Sequence, residues 1–456
     1  MIVMKFGGTS VESAEAIKRV ASIVRERLDR HPVVVVSAMG KTTNKLLAMG
    51  NTAASGGLTE ATRLSNELRD FHLREARAVV APRDHSELEG IVESHFAELP
   101  GVLEEVHSQA EFSARLVDAA GAIGERLSSA IVTMAFRNLG IQAAHVDSRD
   151  VILTDRRHSQ AAPLFSKTYA RLAEIVPPLA ASQVVVMGGF IGSTADGITT
   201  TLGRGGSDYT ASIVGAGIGA EEIQIWTDVD GMLTCDPTIL AGGRRVKRIS
   251  FAEAAELAYF GAKVLHPATV LPAVEKNIPV LILNSRRPEV DGTRITADTV
   301  PCRNAVKSIA CKKNITVVNV QSARMLMAYG FLRRIFEVFD RYRTPVDMVS
   351  TSEVSVSLTI DNAEHMDEIR EDLAQIADVS VEPGQAIVCL VGDSIRQTPG
   401  VAARVFGALR NINVWMISQG ASLLNLSLVV AAKDLPEAVE ALHREFFSEL
   451  DPAVFD

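Results

Sequence analysis

Short apolar runs separated by amphipathic stretches organise the first two thirds of the chain. Ile2-Val3-Met4, Val33 to Val36, Ile141 to Val146, Val184 to Met187, the stretch from Glu222 to Asp228 and Val280 to Leu283 each predict a buried strand. Between the first two, Ile17, Val20, Ala21, Val24 and Leu28 recur on one helical face until Pro32 breaks the pattern. Strand, glycine loop, helix and strand make a βαβ unit, so the sheet is expected to be mostly parallel and buried on both faces. Thr59 to Leu139 reads as helical, with breaks at Pro82, Pro100 and Gly121. On that reading Gly124 to Ser129 opens a helix and puts Glu125 in its first turns, where a carboxylate complements the helix dipole.

The pattern changes after a stretch rich in Pro, Asp, Gly and Thr from Arg286 to Pro301, which reads as a linker. Ile315 to Val320 predicts a strand and Gly330 to Phe336 a helix start. Val346 to Val349 and Val354 to Ile360 predict strands, and Met366, Ile369 and Leu373 mark a helix. The order then repeats with Ala386 to Val391, a helix from Gly400 to Phe406, paired strands at Val414 to Ile417 and Leu424 to Val430, and a helix from Leu435 to Phe447. This is a duplicated βαββα, ferredoxin-like module. The second copy has no final strand of its own, and Val306 to Cys311 is available to fill that edge. The expected division is a module over 1–297, a second over 314–383, and a third made of 304–313 with 384–456.

Composition narrows the function classes. The 456 residues are 47% hydrophobic and 22% charged, with a net charge of -9 and a pI near 5.7. Nucleic-acid binding would call for clustered positive charge, and the basic stretch from Arg333 to Arg343 lies on an apolar-striped helix, as a solvated face does. Cys235, Cys302, Cys311 and Cys389 lack CxxC spacing, so neither a disulfide framework nor a zinc site is expected. No apolar run is long enough to span a bilayer, and the opening residues are not built as a signal peptide. A cytoplasmic protein without membrane contact is the expectation.

Two glycine loops carry the candidate chemistry. The first is Lys5-Phe6-Gly7-Gly8-Thr9-Ser10, where the lysine precedes the glycines and so does not form a Walker A motif. The second is Thr201-Leu202-Gly203-Arg204-Gly205-Gly206-Ser207-Asp208, which opens a helix. Free backbone N–H groups at a helix start hold anions, and Arg204 adds a fork-shaped cation suited to a carboxylate or phosphate. Asp208 can cap the helix or organise nearby cations. Ser37 to Asn44 is a small, polar stretch at a strand's carboxyl end, where ligands collect in open α/β sheets. Gly215-Ala216-Gly217-Ile218-Gly219-Ala220 matches the dinucleotide fingerprint but follows a helix and precedes a strand, so it reads as a helix C-cap and turn.

These motifs carry a family resemblance. Lys5 to Val11, the Arg204 loop, Trp226-Thr227-Asp228-Val229-Asp230-Gly231 and Phe260 to Pro267 resemble the aspartate kinases of the amino-acid kinase superfamily, over nearly the whole chain. The paired C-terminal modules resemble ACT domains, and the pattern is that of a monofunctional enzyme. The resemblance implies an α/β amino-acid kinase fold with two ACT domains, and phosphorylation of the L-aspartate side-chain carboxylate by ATP, with Mg²⁺ on the nucleotide phosphates and no protein metal site. It implies that Lys5 stabilises the transferring phosphate with the amides of Gly7 and Gly8, and that Asp208 orients the lysines. Phe6, Thr227, Asp228, Leu233, Lys263 and Val264 are implied at the nucleotide. Arg204 is implied to hold the substrate α-carboxylate and Glu125 its ammonium. Ser37, Thr43, Phe190, Thr201, Gly205, Gly206 and Ser207 complete that pocket. Leu233 and Thr238 depart from the Tyr and Arg of some relatives and look like the plant-type branch.

The first ACT module resembles that of the lysine-sensitive branch. Met325, Ala328, Phe331, Leu332, Val346, Asp347, Ser352 and Glu353 are implied at the effector site. Asp347 and Glu353 would take the two ammonium groups of L-lysine. Solubilising edge-strand charges are the alternative for both. Ala328 replaces a serine found in some lysine-sensitive relatives. ACT modules imply a homodimer or homotetramer. Two other functions fit parts of the pattern: another amino-acid kinase, or an amino-acid sensor with a degenerate kinase domain. Retention of Lys5, Arg204 and Asp208 argues against the sensor.

Overall fold

The structure, a computed structural model, describes residues 1–261, 267–298, 301–322 and 329–456. In chain order its first part contains β1 (Ile2–Phe6), α1 (Ala14–Arg25), β2 (Pro32–Val36), α2 (Thr42–Ala54), α3 (Leu58–Arg77), α4 (His85–Phe96), α5 (Leu99–Gln109), α6 (Ala114–Asn138), β3 (Ala143–Val146), α7 (Ser148–Val151), α8 (Phe165–Ala180), β4 (Val184–Gly188), β5 (Ile191–Ser193), β6 (Thr199–Thr201), α9 (Gly206–Ile218) and β7 (Glu222–Thr227). Then come β8 (Arg248–Ser250), α10 (Phe251–Tyr259), α11 (Leu271–Glu275), β9 (Val280–Asn284) and β10 (Thr293–Thr296). The rest comprises β11 (Ser308–Gln321), α12 (Phe331–Arg341), β12 (Val349–Thr351), β13 (Ser355–Ile360), α13 (Met366–Ala374), β14 (Asp378–Val391), α14 (Val401–Ala408), β15 (Val414–Gln419), β16 (Asn425–Ala431) and α15 (Leu435–Phe446). Two compact units form: Met1–Gly231 with Val264–Ala297, and Met232–Lys263 with Asp298–Asp456.

In the first unit the strands lie in the order β3-β4-β2-β1-β7-β9-β10. All pairings are parallel except β9 with β10. The valine-rich strands are buried on both faces because helices cover each side. Ile2, Met4 and Phe6 pack with α1 and α6, whereas Val3 faces α9. Two expectations need correction. Helix α1 stops at Arg25, and Leu28 lies in a short 3-10 turn, exposed. Helix α6 runs unbroken through Gly121, so Glu125 sits near its middle and not at a dipole end. A lone glycine costs a helix only about 1 kcal/mol, and the buried packing of α6 on both sides of Gly121 outweighs it. The Gly215–Ala220 stretch is a C-cap: Gly219 is left-handed and its N–H donates to the Gly215 carbonyl.

The second unit holds an antiparallel sheet in the order β12-β13-β11-β14-β16-β15. Strands β11 and β14 are each long enough to serve both ferredoxin-like halves. Ser308 to Lys312 pairs with Ile387 to Val391, while Val317 to Gln321 pairs with Asp378 to Glu382. Left-handed Gly330 and Gly400 open the equivalent helices α12 and α14. Residues 232–261, expected within the module over 1–297, cluster with this second unit. Cys235 bridges to Ile309, and Ser308 Oγ donates to the Leu233 carbonyl at 2.7 Å. Among the described residues no helix is long and apolar enough to cross a membrane.

A fully buried ion pair anchors that segment. Lys307 Nζ lies 2.8 Å from Glu253 Oε1, with both side chains inaccessible. The same glutamate closes a capping box with Ser250 at the start of α10. Removing the cation leaves a buried carboxylate without its partner. We expect Lys307→Met to destabilise the protein by about 3–5 kcal/mol in urea denaturation; a loss under about 1 kcal/mol would show that the carboxylate is relieved in some other way.

Candidate active site

A cavity of about 460 Å³ opens in the first unit, at the carboxyl ends of β1 and β2. Its lining contains Lys5, Ser37, Thr43, Glu125, Phe190 and Thr201, together with the loop from Gly203 to Asp208. The structure thus brings together all of the residues expected around the acidic substrate. It includes Asn44, the end of the polar stretch from Ser37, and adds Leu47, Val117 and Ser159, which no motif had singled out.

The loop geometry explains the glycines. Gly203 and Gly205 adopt φ values of 78° and 72°, a left-handed region costly for other residues. Gly205 is the N-cap of α9 and no side chain caps the helix. Asp208, in the first turn, is therefore not the cap. It pairs with Lys5, Nζ to Oδ1 at 2.6 Å, joining the end of β1 to the start of α9. Arg204 is exposed at the rim and makes no ion pair among the described residues. Phe190 holds a left-handed backbone at φ 68°, fixed by an N–H bond to Thr210 Oγ1 at 2.9 Å.

Glu125 projects from the middle of α6 and is only 4% exposed. Thr43 Oγ1 donates to its Oε1 at 3.3 Å, and Oε2 has no hydrogen-bond partner. Burial pushes its carboxyl up to about 8. A buried carboxyl with an unpartnered oxygen, on a residue that lines a cavity, is a site for a cation or a hydrogen-bond donor. Thr201 lines the cavity as expected, and its hydroxyl donates to buried Asp118. Asp118 escaped sequence reasoning, although it lies seven residues before Glu125 and hence about two turns away on the same face.

The nucleotide residues are placed differently. The Phe6 ring stacks on Trp226 inside the core, with centroids 5.9 Å apart, so only its backbone reaches the loop. The Gly7 N–H donates to the Trp226 carbonyl at 3.1 Å and is not free for a phosphate, contrary to expectation. It is spent because parallel pairing of β1 with β7 continues one residue past the strand. Thr227 is half-buried and donates to Asp228 Oδ1 at 3.3 Å. Leu233 lies in the second unit, bridged to Arg245. Lys263 and Val264 lie outside the described residues. Among the described residues no group of three or more His, Cys, Asp or Glu side chains could hold a metal ion.

The expected effector residues divide similarly. Phe331 is buried in the core of the first ferredoxin-like half, so its ring does not face solvent. Its place one residue after Gly330, on the inner face of α12, explains this. Leu332, Ser352 and Glu353 are exposed, and Val346 is half-buried. Asp347 is already paired: Lys312 Nζ lies 2.6 Å from its Oδ1 and 2.7 Å from Asp361 Oδ2. Burial nonetheless raises the pKa of Asp347. Met325 and Ala328 lie outside the described residues.

Comparison with known proteins places this geometry. Residues 1–284 match the amino acid kinase family, and residues 388–446 match the ACT domain. The chain is 38% identical to aspartokinase 2, chloroplastic, of Arabidopsis thaliana, over 99% of this chain and 85% of the relative. The crystal structure of E. coli aspartokinase III in complex with lysine and aspartate (T-state) superposes with a TM-score of 0.83 at 35% identity, covering 98% of this chain and 99% of that one. The structure of the same enzyme with aspartate and ADP (R-state) gives 0.82 at 35% identity, covering 98% and 100%.

The Glu125 carboxyl has a pH signature. Its pKa is raised in the folded chain to about 8, against 4.5 for an unburied glutamate. The unfolded chain then loses this proton first, so stability falls as pH rises between these values and levels off above. Relative to Glu125→Gln, the protein should lose on the order of 3 kcal/mol or more across that window. Urea midpoints measured from pH 5 to 9 check this. Parallel pH curves for the two proteins would contradict it.

Proposed function

The chain belongs to the aspartokinases of the amino acid kinase family, and on that premise we propose that it transfers the γ-phosphoryl group of ATP to the side-chain carboxylate of L-aspartate, under feedback control by L-lysine. One observation carries the reading. A single cavity joins the Lys5–Asp208 pair, the guanidinium of Arg204, which makes no ion pair among the described residues, and the buried carboxyl of Glu125. Aspartate offers two carboxylates and one ammonium, which is the complement of that set.

The chemistry asks for positioning and positive charge. A side-chain carboxylate oxygen of aspartate forms a bond to the γ-phosphorus, and the bond from that phosphorus to the bridging oxygen breaks, releasing ADP and 4-phospho-L-aspartate. The nucleophile is already an anion, so no general base has to remove a proton. Lys5, oriented by Asp208, offsets charge on the transferring group. Arg204 takes the α-carboxylate as a fork, and Glu125 takes the ammonium, which draws its carboxyl to the charged form. Ser37, Thr43 and the amides near Ser207 supply hydrogen bonds. The N-terminus of α9, which has no side-chain cap, faces the same space and favours anions, although its Gly206 N–H is already donated to the Gly203 carbonyl.

Mg²⁺ bound with the nucleotide supplies charge neutralisation at the phosphates. For the effector, the exposed Glu353 and the Asp347–Lys312–Asp361 group support a lysine site in the first ACT module. An incoming amine must share or displace Lys312 there. We place the protein in the cytoplasm and assign it a homodimer or homotetramer built through its ACT modules.

Aspartyl hydroxamate formation tests this directly, with aspartate, glutamate and acetylglutamate compared with and without lysine. We expect ATP-dependent product from aspartate alone, suppressed by lysine. Folded protein inactive on every acid would favour a sensor. Lys5→Ala should lower kcat by about 10²-fold or more, and Arg204→Ala should chiefly raise the aspartate KM, by about 10-fold or more. An unchanged aspartate KM would reject the α-carboxylate contact. Glu353→Lys should remove lysine inhibition while kcat stays near native; inhibition that persists would move the effector site.

A further inference from the structure

Helix α6 carries two buried carboxyls, and only one faces the cavity as a ligand group. The other, Asp118, is fully buried. It accepts from His158 Nδ1 at 2.7 Å, from the Ser159 N–H at 3.0 and 3.1 Å, and from the Thr201 hydroxyl. Its partners come from two places. His158 and Ser159 lie in the loop after β3 and α7, and Thr201 ends β6. These two segments are also joined to each other, since the Ala161 N–H donates to the Thr201 carbonyl at 2.9 Å. The loop then leans on Gly203, where a Cβ would stand 3.1 Å from the Ser159 carbonyl oxygen. Arg204 follows directly.

We infer that Asp118 is a positioning residue that sets the spacing between Arg204 and Glu125, and so tunes recognition of the amino-acid substrate. The inference rests on the reading that these two residues bracket that substrate. One rigid helix then holds both ends of the measure. Glu125 stands on it directly, and the wall that leads into Arg204 is hung from it through Asp118. Ser159 and Thr201 line the cavity, yet their N–H and hydroxyl are committed to Asp118. Among the described residues no hydrogen bond or ion pair joins the Lys5–Asp208 pair or Thr227 to this cluster. A positioning role therefore separates the two substrates: aspartate binding should suffer and nucleotide binding should not. A merely structural role would loosen both.

Asp118→Asn keeps the shape and removes the charge. In steady-state assays with ATP and aspartate varied separately, its aspartate KM should rise about tenfold or more. Its ATP KM should stay within about twofold and kcat at saturating aspartate within about threefold. A pair at His158 supplies the control if that variant does not fold. The Nδ2 of His158→Asn can replace the ring Nδ1 as donor, so its aspartate KM should stay near native. That of His158→Phe should rise about fivefold or more. An aspartate KM within about twofold of native in Asp118→Asn, parallel rises in both KM values, or equal behaviour of the two His158 variants each overturns the inference while leaving the kinase reading intact. A native chain with no aspartate turnover overturns that reading, and the inference with it.

Discussion

The site depends on how closely helix α6 lies against the carboxyl ends of β2 and β4. A Cβ on Gly188, the last residue of β4, would stand 2.9 Å from the Glu125 carbonyl oxygen. One on Gly124 would stand 2.9 Å from the Cβ of Ala38. Neither position has room for a side chain, and that closeness delivers Glu125 into the cavity. Ser128 Oγ, donating to the Ser37 carbonyl at 2.8 Å, ties the helix to the loop after β2. The approach is held by apolar packing. Leu116, Ile123, Leu127 and Ile131 are almost inaccessible, and each buried side chain contributes roughly 1.5–3 kcal/mol. That total is large enough to offset the desolvation of two carboxyls on the same helix.

Charge is distributed unevenly over this frame. Lys5 and Asp208 satisfy each other, and Asp118 is satisfied by three donors. Arg204 and Glu125 are left incomplete, one exposed without an ion pair among the described residues and one buried with a spare oxygen. Local consistency normally governs a folded chain, and its exceptions collect where a ligand supplies the missing partner. Glu125 costs the protein stability above the ordinary glutamate range, because burial holds its proton on. A structural residue would have been relieved by a neighbouring cation, as Glu253 is by Lys307. That contrast between two buried glutamates is what supports the proposed binding role of Glu125 over an architectural one.

Much of this was legible in the sequence, and the reasons differ by residue. The parallel strands could be read because valine runs have no other comfortable place, and the Arg204 loop because left-handed turns demand glycine. The repeat in the last third was legible from two Gly-to-Phe spacings that recur on equivalent helices. Phe6 was misplaced because a motif names residues without saying which atoms face the ligand. Gly7 was misread because an amide at a strand end can be consumed by continuing the ladder, which only the pairing of β1 with β7 decides. Asp118 stayed hidden because its partners are 40 or more residues away, at His158, Ser159 and Thr201. Its one local signal is the seven-residue spacing from Glu125. That signal was obscured by reading Gly121 as a helix break, which separated the two carboxyls onto different elements.

The second unit is constrained in another way. Strands β11 and β14 run through both ferredoxin-like halves, so neither half has a complete sheet without the other. A slip of one residue in either strand would turn every side chain to the opposite face in both halves. Val318, Val320, Cys389 and Val391 are wholly buried, and such a slip would expose apolar surface on both sides at once. A ligand contributing a few kcal/mol cannot drive that. Rearrangement must therefore leave the central register intact and use the periphery: strands β12 and β15, each paired on one side only, and the side-chain bonds that reach them. Helix α10 is grasped from both halves, by Ser422 and Asn425 at Glu256, each at 2.6 Å, and by Asp347 at Tyr259 across 3.4 Å. The first grip is short and doubled, and the second is long and shares its carboxylate with Lys312. The weaker grip belongs to the half that carries the proposed effector residues. If the proposed effector competes for Asp347, it would act on the longer of these bonds, while the shorter pair and the shared strands would keep the unit in register.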